Sequence, residues 1–359
     1  MSDSTLLFGL GQPGVRARLW SRAFAPDDSP SSINAWDERM SVEEGTIGFQ
    51  RVPSGRSVVY FTKAGYLPDE FETIMPDDGG KDIRLTPEPL PRLTRIGNHR
   101  FITDDNNKVL LIGCSDFMLY WRFLQGEDIA PILTERQALG FNCVRVFGMA
   151  HYIPINEFSL PAFRPQDYGK AYYDNLLLFE ALCHSFRQYV YFSCFPDNGF
   201  IMPNLSEKQT HHDSVVSRWT DLYELTNELD AHSFNYVNPA DFTRPMHLLA
   251  CAGSQGEGLH IAHWDFFDFH PRRNYPSHIK DCNLADNPNY LAGYEGLIGE
   301  PDRYGWQGNP NAMQAFESAG SARGTALGIV FHSRRGVRSE LFDEQTRECA
   351  KAFIAGLKG

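Results

Sequence analysis

The chain is short of the features that mark membrane proteins, disulfide scaffolds and nucleic-acid binders. Nothing in its 359 residues approaches the ~18 unbroken apolar positions of a membrane helix. Basic residues are outnumbered, 33 Lys+Arg against 45 Asp+Glu, and a net charge of −12 has the wrong sign for neutralising phosphates. Neither a membrane nor a nucleic acid is therefore an expected partner. The seven cysteines (Cys114, Cys143, Cys183, Cys194, Cys251, Cys282 and Cys349) form no CxxC pair, which removes zinc knuckles and thioredoxin-like motifs. Most lie in apolar runs and read as reduced core thiols. The start, Met1-Ser2-Asp3-Ser4-Thr5, lacks a basic stretch, so a signal peptide is not expected and the compartment reads as cytoplasmic, with a processed secreted chain as the alternative.

What is present is an ordinary globular composition, 42% hydrophobic and 22% charged, which excludes wholesale disorder. Pro87, Pro89 and Pro91 stiffen a linker between two regions of different character. Residues 1–88 show period-two runs, 15–20 and 57–62, with turn residues between them and no helical period, which predicts a small all-β sandwich. The match of Gly9-Leu10-Gly11-Gln12-Pro13-Gly14 to GxGxxG reads as a turn, because Pro13 and a strand pattern follow where a dinucleotide site needs a helix. Residues 1–88 also hold no histidine and no cysteine, so a structural accessory role is expected for them.

Residues 89–359 begin with a hairpin, 100–103 and 108–111 around Asp104-Asp105-Asn106-Asn107. Strand-like runs at 111–115, 143–147, 190–195, 223–227, 247–251, 266–270, 297–300 and 326–331 follow. Helical patterns at 129–139, 172–188, 312–318 and 343–357 are interspersed among them. Eight strands with crossovers in this length predict an α/β fold, a (β/α)8 TIM barrel of the usual ~250 residues.

Such barrels carry their chemistry at the C-terminal ends of the strands. Those ends hold Arg145, Asn227-Glu228, His270 and Glu300. Paired carboxylates across a cleft are what glycoside hydrolysis requires: one protonates the leaving oxygen while the other attacks the anomeric carbon or activates water. Arg145 beside Glu300 would hold that carboxylate ionised. Trp121 (with Tyr120) and Trp306 are candidates for stacking on sugar rings, with core packing as the rival use, and His332 is a candidate substrate contact. His211-His212-Asp213 reads as a solvated loop, and neither it nor His260 and His263 reads as a metal site.

These residues resemble the clan of retaining glycoside hydrolases that includes family 5 cellulases and mannanases. The matching motifs are Gly140-Phe141-Asn142-Cys143-Val144-Arg145, Asn227-Glu228, Asp265–His270 with its closing histidine, and Glu300. The resemblance implies Glu228 as acid/base and Glu300 as nucleophile, with Arg145, Asn227 and His270 around them; Trp121, Trp306 and His332 join the substrate-binding set on the reading of the residues alone. It implies an oligosaccharide or polysaccharide substrate and no cofactor or metal. Three positions depart from the pattern: Arg272 stands where an aromatic is usual, Phe195-Pro196-Asp197-Asn198 lacks a histidine, and strand eight ends in Phe331-His332-Ser333 without a tryptophan. The alternative these departures leave open is a catalytically decayed barrel that binds carbohydrate or serves a structural role. Residues 43–87 resemble carboxypeptidase-regulatory-like β-sandwich modules, through Gly45–Phe49, Val52-Pro53-Ser54-Gly55, Gly65-Tyr66 and Leu85-Thr86-Pro87.

Overall fold

The computed structural model describes residues 4–10, 16–21, 36–40, 45–52, 55–62, 69–75, 80–83, 90–150, 162–196, 202–229, 236–255, 264–270, 296–300, 312–324 and 326–358. The chain divides into two compact units, Met1–Pro89 and Leu90–Gly359. In the first, every described residue is in a strand: β1 (Ser4–Leu10), β2 (Arg16–Ser21), β3 (Trp36–Met40), β4 (Gly45–Val52), β5 (Gly55–Thr62), β6 (Asp69–Met75) and β7 (Gly80–Ile83). They form two sheets, β4-β1-β7 and β3-β2-β5-β6. The period-two run of β2 is flanked by β3 and β5, with Trp20 in register with Trp36 and Val58. After Leu10 the next described element is a strand; positions 11–14 of the GxGxxG match lie outside the described residues.

The second unit opens with a small antiparallel sheet of β8 (Leu93–Ile96), β9 (Phe101–Thr103) and β10 (Lys108–Val109). The expected hairpin is its β9–β10 part, and Leu93–Ile96 adds a strand that the proline-rich approach concealed. Then come the barrel staves: β11 (Leu111–Ser115), β12 (Cys143–Phe147), β13 (Tyr189–Phe195), β14 (Leu222–Thr226), β15 (Ala250–Cys251), β16 (Ser254–Gln255), β17 (Phe267–Phe269), β18 (Gly296–Ile298) and β19 (Gly328–Phe331). All pair in parallel, and β11 pairs with β19, so the first stave meets the last. Segments β15 and β16 are halves of one stave, the first bonded to β14 and the second to β17, with Ala252 and Gly253 between. The result is the (β/α)8 barrel.

Local chemistry explains the entry to the second stave. The helix Ala130–Leu139 stops at Gly140, whose φ of 103° suits glycine and lets its N–H reach the carbonyls of Arg136 and Gln137. Two residues on, Asn142 accepts from the Ile112 amide at 2.7 Å and donates to the Leu110 carbonyl at 3.0 Å, pinning β12 against the approach to β11. The N-terminal end of the barrel is closed by apolar side chains. Leu111, Cys143, Tyr189, Leu222, Phe266 and Leu297 share one cluster with Leu93 and Phe101 of the small sheet. Phe101 meets Phe266 edge-on at 5.6 Å, so the bottom is plugged and the opposite end carries the polar groups.

Two helices differ from expectation. The pattern at 172–188 resolves into Lys170–Asp174 and Leu176–Ser185. The segment read as a solvated loop around His211-His212-Asp213 is the helix Leu205–Val216. Its inward positions, Lys208, His211, His212 and Val215, have helical spacing, but polar residues fill three of them and hide the period. His211 meets the Tyr173 hydroxyl at 2.9 Å, and His212 meets the Tyr223 hydroxyl at 2.7 Å and the Thr243 carbonyl at 3.0 Å. Burial pushes the His211 imidazole down to about 3, so it stays neutral in this wall. Among the described residues no helix is long and apolar enough to cross a membrane.

Candidate active site

Residues at the C-terminal ends of six staves converge on one polar cluster, organised around the Arg145 guanidinium on β12. Arg145 donates to Glu300 Oε1 at 2.9 Å, to Glu224 Oε2 at 2.8 Å and to Asn227 Oδ1 at 2.6 Å. Its Nε lies 3.9 Å from Asp268 Oδ2, an oxygen that also accepts from the Tyr191 hydroxyl at 2.9 Å. The guanidinium is fully buried, with the rings of Phe117, Phe147 and Tyr191 at 5.4–5.6 Å. Burial alone would disfavour its charge. Glu224, Asp268 and Glu300 outweigh that and drive its proton affinity well above the usual arginine value. Asp268 shows the opposite balance: burial pushes its carboxyl up to about 6 despite His270 and Arg145.

Glu228 follows β14 with a φ of 41°, a left-handed conformation that costs an L-residue roughly 1–2 kcal/mol. Such strain persists where surrounding structure imposes it, and here it sets a glutamate at the mouth. Its Oε1 meets His270 Nδ1 at 3.1 Å, and His270 Nδ1 is 3.9 Å from Glu300 Oε1. Burial opposes a charge on His270, but Glu300, Glu228 and Asp268 prevail and hold its pKa above the ordinary value. One carboxylate oxygen each from Glu228 and Glu300 and a ring nitrogen of His270 all lie within 4.8 Å of one another. On the far side of Glu300, His332 Nε2 is 3.6 Å from Oε2, while His332 Nδ1 meets Ser115 Oγ at 2.9 Å. Gly299 is required by this crowding. A Cβ there would lie 2.4 Å from Asp268 Oδ1 and 2.8 Å from His270 Nε2.

No protein-family model and no curated protein matches the chain. Solved structures do. A family 5 glycoside hydrolase from Bacteroides vulgatus superposes with a TM-score of 0.51 at 13% identity, over 69% of this chain and 63% of that one. This chain thus spans less than two thirds of that structure's length. A second structure, described only as a glycoside hydrolase, gives a TM-score of 0.50 at 11% identity, over 71% of this chain and 68% of that one. The second unit shares their fold.

In this barrel, six of the eight residues singled out from sequence lie together: Arg145, Asn227, Glu228, His270, Glu300 and His332. Trp121 sits on the helix Leu119–Leu124, half-buried against the core cluster between staves and helices. Its neighbour Tyr120 is fully buried and donates to the Tyr172 carbonyl, which gives its ring to the core. Trp306 and Arg272 lie outside the described residues, as do His260 and His263. Sequence reasoning missed Glu224, Asp268, Tyr191 and Ser115. The available signal was an acidic residue in the middle of each of two apolar staves, because a barrel interior accepts a charge only with a partner.

Among the described residues, two groups of side chains have spacing that could gather around a metal ion, Glu228–His270–Glu300 and Glu180–His184–Asp221. In the first, the donors are engaged with one another and with Arg145. The second lies at the N-terminal ends of β13 and β14, away from the mouth. There Asp221 Oδ2 accepts from the Val190 amide and meets His184 Nε2, both at 2.7 Å, while Glu180 Oε1 accepts from the Thr220 amide and hydroxyl. Burial, with Asp221 adding, pushes the Glu180 carboxyl up to about 7. A carboxyl raised on folding gives full stability below its unfolded pKa of ~4.5 and loses it as pH rises toward the folded value, by at most about 1.4 kcal/mol per unit. Glu180→Gln keeps the acceptor oxygen and removes the charge. Denaturant midpoints should therefore show the variant gaining on the parent between pH 4.5 and about 7, then holding its advantage.

Proposed function

We propose that the protein is a retaining glycoside hydrolase that cleaves an O-glycosidic bond of an oligosaccharide or polysaccharide. Glu300 is the nucleophile and Glu228 the acid/base. The observation that carries this reading is the approach of carboxylate oxygens of Glu228 and Glu300 to within 4.8 Å across the mouth. Retaining pairs stand ~5–5.5 Å apart, whereas inverting pairs need ~6.5–9.5 Å to admit a water between them. The surroundings of the two groups differ in the sense the chemistry needs. Arg145 donates directly to Glu300 and favours its anion; that anion disfavours a second negative charge on Glu228, while His270, 3.1 Å from Glu228 Oε1, acts in the other sense.

In the first step a Glu300 oxygen bonds to the anomeric carbon as the glycosidic C–O bond breaks, and the Glu228 proton passes to the departing oxygen. Esterification removes the Glu300 charge, so Glu228 now holds its own charge more easily. It takes a proton from water, the water oxygen bonds to the anomeric carbon, and Glu300 leaves as a carboxylate. Arg145 fixes which way the Asn227 amide faces by occupying its oxygen, and Asn227, with Trp306, is assigned to the sugar. The reaction needs no cofactor and no metal.

The test is covalent trapping. A 2-deoxy-2-fluoroglycoside with a good leaving group, chosen from a screen of chromogenic glycosides, should add one glycosyl mass to the protein. Peptide mapping should place it on Glu300. Tight sugar binding without labelling would favour a carbohydrate-binding barrel, and a label on another residue would overturn the assignment.

A further inference from the structure

The two oxygens of Glu300 have different neighbours. Oε1 takes the Arg145 hydrogen bond at 2.9 Å, with His270 Nδ1 at 3.9 Å, while Oε2 faces His332 Nε2 at 3.6 Å. His332 is buried, and its other nitrogen meets Ser115 Oγ at 2.9 Å. Its ring lies 5.5 Å from Phe117, which is itself stacked on Phe147 at 3.8 Å, so the imidazole has an apolar wall on one side. The three polar groups come from adjacent staves, since Ser115 ends β11, Glu300 follows β18, and β19 leads into His332 between them.

We infer that Ser115 and His332 form a positioning pair that holds the second oxygen of Glu300. The inference rests on the proposed role of Glu300 and gives His332 a task other than contact with sugar. If the Ser115 hydroxyl donates to Nδ1, the neutral ring carries its proton on Nε2, the nitrogen facing Oε2. Glu300 then lies between Arg145, hydrogen-bonded to one oxygen at 2.9 Å, and the His332 N–H, which faces the other at 3.6 Å as an electrostatic contact, and the two orient its carboxylate plane for in-line attack. No proton changes hands; the pair supplies orientation and a facing N–H dipole that favours the charged form. Among the described residues, the ionisable groups facing Glu300 are Arg145 from β12, Glu228 after β14, His270 after β17 and His332 after β19, with Asp268 behind His270 at 3.9 Å. Glu224 acts on it through Arg145.

Side-chain geometry supplies a sharp test. The amide nitrogen of Gln reaches the place of imidazole Nε2, whereas that of Asn reaches only the place of Nδ1. His332→Asn should lower kcat about ten- to a hundredfold with KM little changed, the scale of a misplaced reacting group. It should also raise the acid limb of kcat/KM by about one pH unit, because the carboxylate loses the N–H dipole that faces it. His332→Gln should restore both, and Ser115→Ala should move both in the same direction by less. A second readout does not depend on turnover: titration of Glu300 by carboxyl-13C NMR, its signal assigned by loss in Glu300→Gln. Its midpoint should rise in His332→Asn and not in His332→Gln. Equal midpoints in those two variants would overturn the positioning pair, even in an active enzyme. A rise confined to His332→Asn in a protein without glycosidase turnover would keep the pair and sink the hydrolase reading.

Discussion

Glu300→Gln is expected to abolish turnover of aryl glycosides, by at least ~10⁴-fold, while leaving the thermal transition almost unmoved. The amide cannot form the glycosyl ester, so no substrate, however reactive, escapes the loss. Glu228→Gln should behave differently. Removing an acid/base costs ~10²–10⁴-fold when the leaving oxygen needs its proton, and far less for a dinitrophenolate that departs as an anion. With that substrate the first step proceeds, the second lacks its base, and glycosyl-enzyme accumulates. Azide, small enough for the space beside the neutral amide, should accelerate release and give a glycosyl azide of retained configuration. Normal turnover by both variants would end the assignment of this pair.

The second large effect is on stability. Arg145→Met is nearly volume-conserving, yet it leaves Glu224 and Asp268, both fully buried, without their guanidinium. Removing one partner of a buried ion pair costs ~3–5 kcal/mol, against a total domain stability of about 5–15 kcal/mol. For a unit of this size the melting temperature should fall by roughly 6–20 °C. Arg145→Lys should recover only part of this, because one ammonium cannot reach three carboxylates and an amide oxygen together. The decisive comparison adds Glu224→Gln and Asp268→Asn to Arg145→Met. Charge is the cause if the triple variant regains most of the lost melting temperature; packing is the cause if it regains none.

How much of this was legible in the sequence follows from where residues sit. Staves β11 and β12 could be read to the residue, because a strand buried on both faces is a short continuous apolar run that polar residues bring to an end. The fifth stave was legible only as an apolar run at 247–251. Its second half, Ser254–Gln255, is polar, lies beyond Ala252 and Gly253, and has no strand pattern of its own. The catalytic candidates were visible because strand ends are fixed positions once the staves are counted. Glu224 and Asp268 were not, since their reason for being acidic is Arg145, which is remote in sequence. The helix Leu205–Val216 was lost for the related reason that hydroxyls and a carbonyl let histidines occupy a buried face.

Arg145 and Glu300 meet across 155 positions of chain, and β11 is bonded to β19. Contacts of such separation carry a larger loop-closure cost than those within the local hairpin or between neighbouring staves. During synthesis, a chain that has emerged only as far as β17 already carries Arg145, Glu224 and Asp268. Lacking its last two staves, it leaves those charges within reach of water. Glu300 arrives only with the seventh stave, so a chain that ends before β18 carries Glu228 without the carboxylate that faces it.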